Sequence, residues 1–311
     1  MASRASGCPP DAIIRAVAQT HKYTKTGRSK DLPVTLCYFS AKDIIRLGGG
    51  FFIAFMMRRC YAKRKRRVVM NQTIQQLKDR KSVRAFTNKP ILPDEVAAIL
   101  ESAVNAPTAG NQQLYTIINV TDQALKERLA ESCDHQGFIA KAPLVLVFCA
   151  DCRKWYRAFL EYGCNPREPG VGDLMLAVSD TNIAAQNAVV AAHSLGIGSC
   201  YIGDIMENAE VQREILSLPP YVFPAAMLVF GYPTEQQMKR PKPPRCDMQH
   251  IVYENGYRDM DRDELKQMLS AKEGERDFEK WLRAFCNRKY NSDFSREMTR
   301  SVQVFLEDFQ K

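Results

Sequence analysis

Two short stretches gather the residues best suited to chemistry: RKSVR at 80–84 and KRPKPPR at 239–245. Each crowds fixed cations among small or rigid residues. Such a cluster is either solvated surface or a cradle for a phosphate, where charge-assisted hydrogen bonds hold the anion. Alone, each stretch is compatible with both readings. The common phosphate and dinucleotide signatures are missing: there is no GxxxxGK[ST] and no GxGxxG following a strand. The glycines of GIGSCYIGD (196–204) follow a helical pattern and have the wrong spacing for that turn. There is no GxSxG elbow. His21, His135, His193 and His250 lie far apart without metal-ligand spacing, and His193 reads as a core histidine of an Ala-rich helix. FCADC places Cys149 and Cys152 as a CxxC with no second pair, which reads as two small buried thiols at a strand end. Nothing in the chain resembles hydrolysis or phosphoryl transfer.

The elements that must position these residues alternate between helix and strand. TIQQLKDR is a helix with Ile74 and Leu77 on one face, running straight into RKSVR. PDEVAAILESAVNA begins a second helix at Pro93, with Asp94 and Glu95 suited to its first turn. APTAGNQQLY breaks that helix and leads to a strand at 115–120. DQALKERLAES is amphipathic and helical. APLVLVFCAD (142–151) is a continuous apolar run, as expected of a strand buried on both faces. The Gly/Pro-rich loop 161–173 precedes the helix LMLAVSDTNIAAQNAVVAAHSLG. Between Ile183 and Leu195 that helix is apolar nearly all round, so it is expected to be buried, in the core or against a second subunit. A turn and short strand at GIGSCYIGD, a helix at 207–217 and a strand at 224–233 follow. IVYENGY is expected to be extended, and two or three polar helices close the chain over 261–308. This alternation excludes an all-α or all-β class.

The chain has 311 residues, 45% apolar and 25% charged, with a formal net charge of +9. That basicity is local. Residues 1–69 carry 15 Lys+Arg against 3 Asp+Glu, leaving 29 basic and 32 acidic residues beyond them, so no nucleic-acid footprint is expected. The leader's apolar stretch, Gly48 to Met57, is too short for a membrane span. It could serve as a membrane-surface anchor. The preferred expectation is that 1–69 is translated upstream sequence: Arg66-Arg67 can be encoded AGG-AGG, two codons before Met70. The protein proper is then 70–311. Seven of ten cysteines lie beyond the leader at irregular spacing, which points to reduced thiols in a cytoplasm.

Taken in order, RKSVR, APTAGNQQ, GIGSCYIGD and KRPKPPR match the four segments of the FMN-dependent nitroreductase family. The chain resembles that family over essentially all of 70–311. The resemblance implies an α+β nitroreductase-like fold, with a central mixed, mainly antiparallel sheet flanked by helices, in a homodimer with an extended C-terminal segment.

It also implies a site for FMN. Arg80 would pair with the phosphate, Ser82 would hydrogen-bond near it, and Lys81 belongs to the same cofactor-binding set. Arg84 would reach the ribityl chain and the N1/C2=O side of the ring, where a fixed cation stabilises the negative charge that two-electron reduction places there. Pro107, Thr108 and Asn111 would line the flavin. Leu114 and Tyr115 depart from the family's usual Pro-Trp. The backbone of Cys200, Tyr201, Ile202 and Gly203 would run along the ring, with an N–H near Gly203 donated to N5. Arg245 would close the phosphate site with Lys242 beside it, although two prolines separate them here where the family has one. No side chain is expected to act as acid or base.

The implied activity is an NAD(P)H oxidoreductase. NAD(P)H would stack over the flavin, give a hydride to N5 and leave; a nitroaromatic, quinone or related small oxidised substrate would then take the same place. A non-turnover FMN sensor or store is the alternative. Tyr162, Arg167 and Phe285 are candidates to touch substrate.

Overall fold

In the computed structural model, residues 71–310 apart from residue 275 are described. The expectations for the leader and for where the protein proper begins lie outside them. The chain opens with α1 (Gln72–Asp79), whose N-cap Asn71 accepts a hydrogen bond from Ile74 N at 2.9 Å. Helix α2 (Pro93–Val104) starts at the predicted proline, with Asp94 and Glu95 in its first turn. Strand β1 (Tyr115–Asn119), α3 (Gln123–Ser132, capped by Asp122) and β2 (Leu144–Asp151) follow. The sequence reading passed over α4 (Arg153–Glu161). Helix α5 (Val171–Ser194) starts three residues earlier than its apolar pattern, because the Asp173 side chain accepts from Gly170 N at 2.8 Å. Then come β3 (Gly198–Ile202), α6 (Ala209–Leu216), β4 (Val222–Gly231) and the short α7 (Glu235–Lys239). Three helices finish the described chain: α8 (Arg262–Glu273), α9 (Phe278–Lys289) and α10 (Asp293–Leu306). IVYENGY is irregular rather than extended.

The four strands form one sheet in the order β1-β2-β4-β3, antiparallel at every rung. The parallel component is a single bridge, Ser82 to Ser199. The side-chain period of two divides the core between the sheet's faces. Val145, Val147 and Cys149 point into a cluster with Leu129, Ile215 and Phe305, from α3, α6 and α10. Leu144, Leu146 and Phe148 point into another with Ile99, Ala185, Ala188 and Val189, from α2 and α5. Covering both faces makes β2 buried along its whole length, which is why it reads as an unbroken apolar run.

The apolar stretch of α5 is only partly buried within one chain. The sheet buries Ala184, Ala185, Ala188, Val189 and Ala192, but Ile183 is 41% exposed and Leu195 also faces out. The sheet can cover only one side of a helix, so part of this apolar surface is left open on the single chain.

Candidate functional site

The two basic segments meet along the outer edge of β3. Helix α1 ends at Arg80, whose N–H caps onto Gln76 O. The next residues run beside β3: Val83 N donates to Ser199 O at 3.0 Å, and Ser82 bridges Ser199. Beyond them Thr87 N donates to Tyr232 O at 2.8 Å and Thr234 N to Ala85 O at 3.2 Å. Lys81 Nζ donates to Met238 O at 2.6 Å and also to Arg240 O. Arg84 N–H donates to Gln237 Oε1 at 3.3 Å. RKSVR is thus stitched to the segment that leads into the second cluster. Because Ser199 O faces outward, strand alternation turns the main-chain groups of Tyr201 to the same open edge, with Gly203 next in phase where the strand turns.

Three cations gather at this edge. The Arg80 guanidinium lies 5.8 Å from the centroid of the Tyr201 ring, and its Nε is buried without a hydrogen-bond partner. Lys242 Nζ donates to Lys78 O at 2.5 Å across the fold. Burial pushes the Lys242 ammonium down, the charges of Arg245 and Arg80 push it further and Asp79 opposes them, so both arginines lie within electrostatic reach of Lys242. Arg245 Nη1 donates to Pro243 O at 3.1 Å. Among the described residues, none of Arg80, Lys242 and Arg245 has a carboxylate partner at ion-pair distance. Burial raises the Cys200 thiol, while Arg84, Ser82 and Arg80 beside it pull the other way.

His193, read from sequence as a core histidine, is only half-buried at the end of α5. Burial lowers it, Asp79 opposes that, and Arg80 and Lys242 reinforce it, which puts His193 at the same cluster. A lone histidine in an Ala-rich helix carries no sequence signal for this. Cys149 and Cys152 are unpaired, and burial pushes both thiols up to about 12, so neither is a reactive thiolate near neutrality.

Pro107, Thr108 and Asn111 stand elsewhere, on the turn between α2 and β1. Gly110, Asn111 and Gln113 all have left-handed φ, near 57°, 57° and 52°, which folds the turn back on itself. Pro107 and Asn111 are exposed. The Thr108 hydroxyl donates to Asp180 Oδ2 and accepts from Gln113 N at 2.7 Å. Asp180 Oδ1 accepts from Ala109 N at 3.1 Å, and Oδ2 accepts from Leu114 N at 3.4 Å. Outside the turn, Trp155 Nε1 donates to Gln112 O at 2.8 Å. This turn leans on the middle of α5 through Asp180, whereas the cation cluster lies at the helix end by His193. At 1.5 Å per residue those two positions are about 20 Å apart along the axis. Between them, the Tyr201 ring beneath Arg80 reaches α5 through its hydroxyl, which donates to Gln186 Oε1 at 3.3 Å.

Of the three candidates for substrate contact, Tyr162 is 88% exposed. Arg167 forms a two-pronged pair with Asp173, Nη1 to Oδ2 at 2.6 Å and Nη2 to Oδ1 at 3.0 Å. It sits at a cavity of about 290 Å³ lined by Trp155, Tyr156, Phe159, Leu176 and Gln112. Phe285 lies 5.7 Å from Trp281 on α9 and packs within its own helix. The aromatic wall of this cavity comes from α4.

The comparisons with known proteins agree with this fold. The model of the nitroreductase family matches residues 77–232. The chain is 30% identical over 240 residues to an FMN reductase [NAD(P)H] of Bacillus subtilis, covering 76% of this chain and 92% of that one. It is 35% identical over 193 residues to an oxygen-insensitive NADPH nitroreductase of Salmonella typhimurium, covering 62% of this chain and 77% of that one. Among solved structures, nitroreductase A of Vibrio parahaemolyticus superposes with a TM-score of 0.61 at 27% identity, over 70% of this chain and 92% of that one. The family match over half the chain, the near-complete span of the Bacillus enzyme and the shared architecture lead to one conclusion: this chain belongs to the nitroreductase family.

Proposed function

We propose that the protein is an FMN-dependent NAD(P)H oxidoreductase that reduces nitroaromatic, quinone or related small oxidised substrates. The observation that carries this is the gathering of Arg80, Lys242 and Arg245, which among the described residues have no carboxylate partner, with a buried Arg80 Nε that has no hydrogen-bond partner among them, beside an open strand edge. A buried donor without an acceptor is costly, and a phosphate oxygen would supply one. The donor set fits a phosphomonoester whose planar ring lies along β3. The names of the relatives, an FMN reductase and an NADPH nitroreductase, support the same reading.

In this site Arg80, Lys242 and Arg245 bind the phosphate, and Ser82 hydrogen-bonds beside them. Lys81 braces the two basic segments through its main-chain acceptors. Arg84 supplies a fixed cation to the polar end of the ring, and the main chain from Cys200 to Gly203 runs along it. When bound, FMN supplies the two-electron chemistry that accepts hydride from NAD(P)H and delivers it to the oxidised substrate. The side chains orient and stabilise charge and exclude water; none moves a proton.

The distance along α5 is the ground for a homodimer. Asp180, which anchors the turn, and His193, beside the cations, are about 20 Å apart along the helix axis, and in this reading the second protomer brings its turn over the flavin. The exposed apolar residues Met175, Leu176 and Ile183 on α5 suit such an interface. Residues 70–311 constitute the FMN-binding domain. A cytoplasmic location is part of this reading, supported by the seven free cysteines among the described residues. No helix among the described residues is long and apolar enough to cross a membrane.

The test is the visible spectrum of the full chain before and after anaerobic NADPH or NADH. Flavin bands that bleach, then recover on adding a quinone, are expected. A yellow protein that does not bleach is a flavin store rather than an enzyme, and a colourless protein that FMN cannot reconstitute sinks the whole assignment.

A further inference from the structure

Asp180 is the best-placed polar group of α5 that the site residues named so far leave unused. It is 3% exposed, yet it makes no ion pair among the described residues. Its two oxygens instead collect the donors of one turn: the Thr108 hydroxyl, Ala109 N–H and Leu114 N–H. These donors come from both ends of the turn, so a single carboxylate closes it. Between them lie three residues in the left-handed region, two of which have side chains and are strained there. A turn of that shape persists only when its surroundings over-determine it. Trp155 Nε1 holds the outer side at Gln112 O, and Gln113 Nε2 ties it to Val104 O at 3.0 Å. Asp180 holds the inner side.

We propose that Asp180 is a positioning residue: it clamps the 108–114 turn so that Asn111 is presented, pre-shaped, to the flavin ring. This rests on the FMN reading above for its consequence, but not for the clamp itself. A neutral amide is a poorer clamp, even though Ala109 N also lies 3.3 Å from Oδ2. Asparagine has one acceptor oxygen, and its NH₂ would face either Ala109 N–H or the donors from Thr108 and Leu114, donor against donor. Thr108 belongs to the same device, because its hydroxyl donates to Asp180 while accepting from Gln113 N–H. A serine there would serve; a valine would not.

The experiment uses the full chain and the variants Asp180→Asn, Thr108→Val and Thr108→Ser. Hydrogen–deuterium exchange of the segment 107–114 reads the clamp with or without flavin. Faster exchange by about tenfold or more is expected in Asp180→Asn and Thr108→Val, with β2 protected as in the parent and Thr108→Ser unchanged. FMN titration then reads the consequence: dissociation constants raised about tenfold and altered visible circular dichroism of the bound flavin in the first two variants. Parental exchange in the 107–114 segment of Asp180→Asn overturns the clamp. Faster exchange with parental FMN affinity and an unchanged flavin spectrum overturns its role in positioning. If the parent itself binds no FMN, the functional reading fails while the exchange arm still decides the clamp. Should Asp180→Asn not fold, the Thr108 pair carries the same comparison.

Discussion

Gly198 and Val83 approach so closely that a Cβ at position 198 would lie 2.6 Å from Val83 Cγ2. That contact lets the basic stretch lie against the edge of β3, with Val83 N–H on Ser199 O. Gly198→Ala must push the two segments apart and carry Arg80 and Ser82 with them. Expected is a loss of FMN affinity of about tenfold or more, with the two-state melting of the sheet reduced by only a few degrees. Isothermal titration with FMN and a thermal melt separate the two effects. Parental affinity would show that the strand edge does not shape the site.

The cation cluster should be worth most where the ligand carries a phosphate. Arg80→Ala and Arg245→Ala each remove a hydrogen bond to a charged group, about 1.5–3 kcal/mol, or about 10–100-fold in the FMN dissociation constant. Riboflavin, which lacks the phosphate, should bind the parent and these variants alike. Equal losses for FMN and riboflavin would place the cations somewhere other than at the phosphate.

The apolar surface left open on α5 gives a prediction about assembly. Ile183→Lys puts a charge into the proposed interface, where Ile183 is now 41% exposed. Sedimentation velocity should find a dimer for the parent and a monomer for the variant, and the monomer should release its FMN because the second protomer's 108–114 turn would no longer cover the flavin. A variant that stays dimeric moves the interface elsewhere.

Glu207 gives a pH prediction. It is 5% exposed, its Oε1 has no partner, and burial, together with Asp204, Asp134 and Glu297, raises it from an ordinary value of 4.5 to about 7. Its proton binds more tightly in the folded state. The stability this gives is fully present below pH 4.5 and is lost as pH rises through about 7. Glu207→Gln imitates the protonated form. Its melting temperature should match that of the parent near pH 4.5 and exceed it by several degrees at pH 8, since about 1 kcal/mol shifts a domain of this size by about 2–4 °C. Parallel melting curves at both pH values would mean that Glu207 stays ionised when folded.

Much of the architecture was legible because its signals are local. The Pro93 start of α2, the amphipathic stretch of α3 and the unbroken apolar run of β2 each depend on residues within a few positions of one another. Helix α4 was legible too, since Trp155, Tyr156, Phe159 and Leu160 recur at helical spacing in RKWYRAFLE; what the sequence does not show is that Trp155 and Phe159 stay part-exposed at a cavity. His193 and Asp180 were not legible. Neither stands out in the local pattern, Asp180 lying within the polar run 179–182, and the significance of each lies in partners far away in sequence: Arg80 and Lys242 for His193, Thr108, Ala109 and Leu114 for Asp180.

By itself, the sequence determined the element types, the residue chemistry of the two basic clusters and the family they spell in order. The tertiary structure decided which segments meet. The strand order β1-β2-β4-β3 sets β3 at an edge, and the missing side chain of Gly198 opens that edge to Val83, so Arg80 and Lys242 share one cluster. The same packing holds the 108–114 turn at the middle of α5 through Asp180. Such placements follow from how two layers of helices cover the two faces of one sheet, and a free energy that depends on burial between distant segments leaves no mark in the local pattern of either.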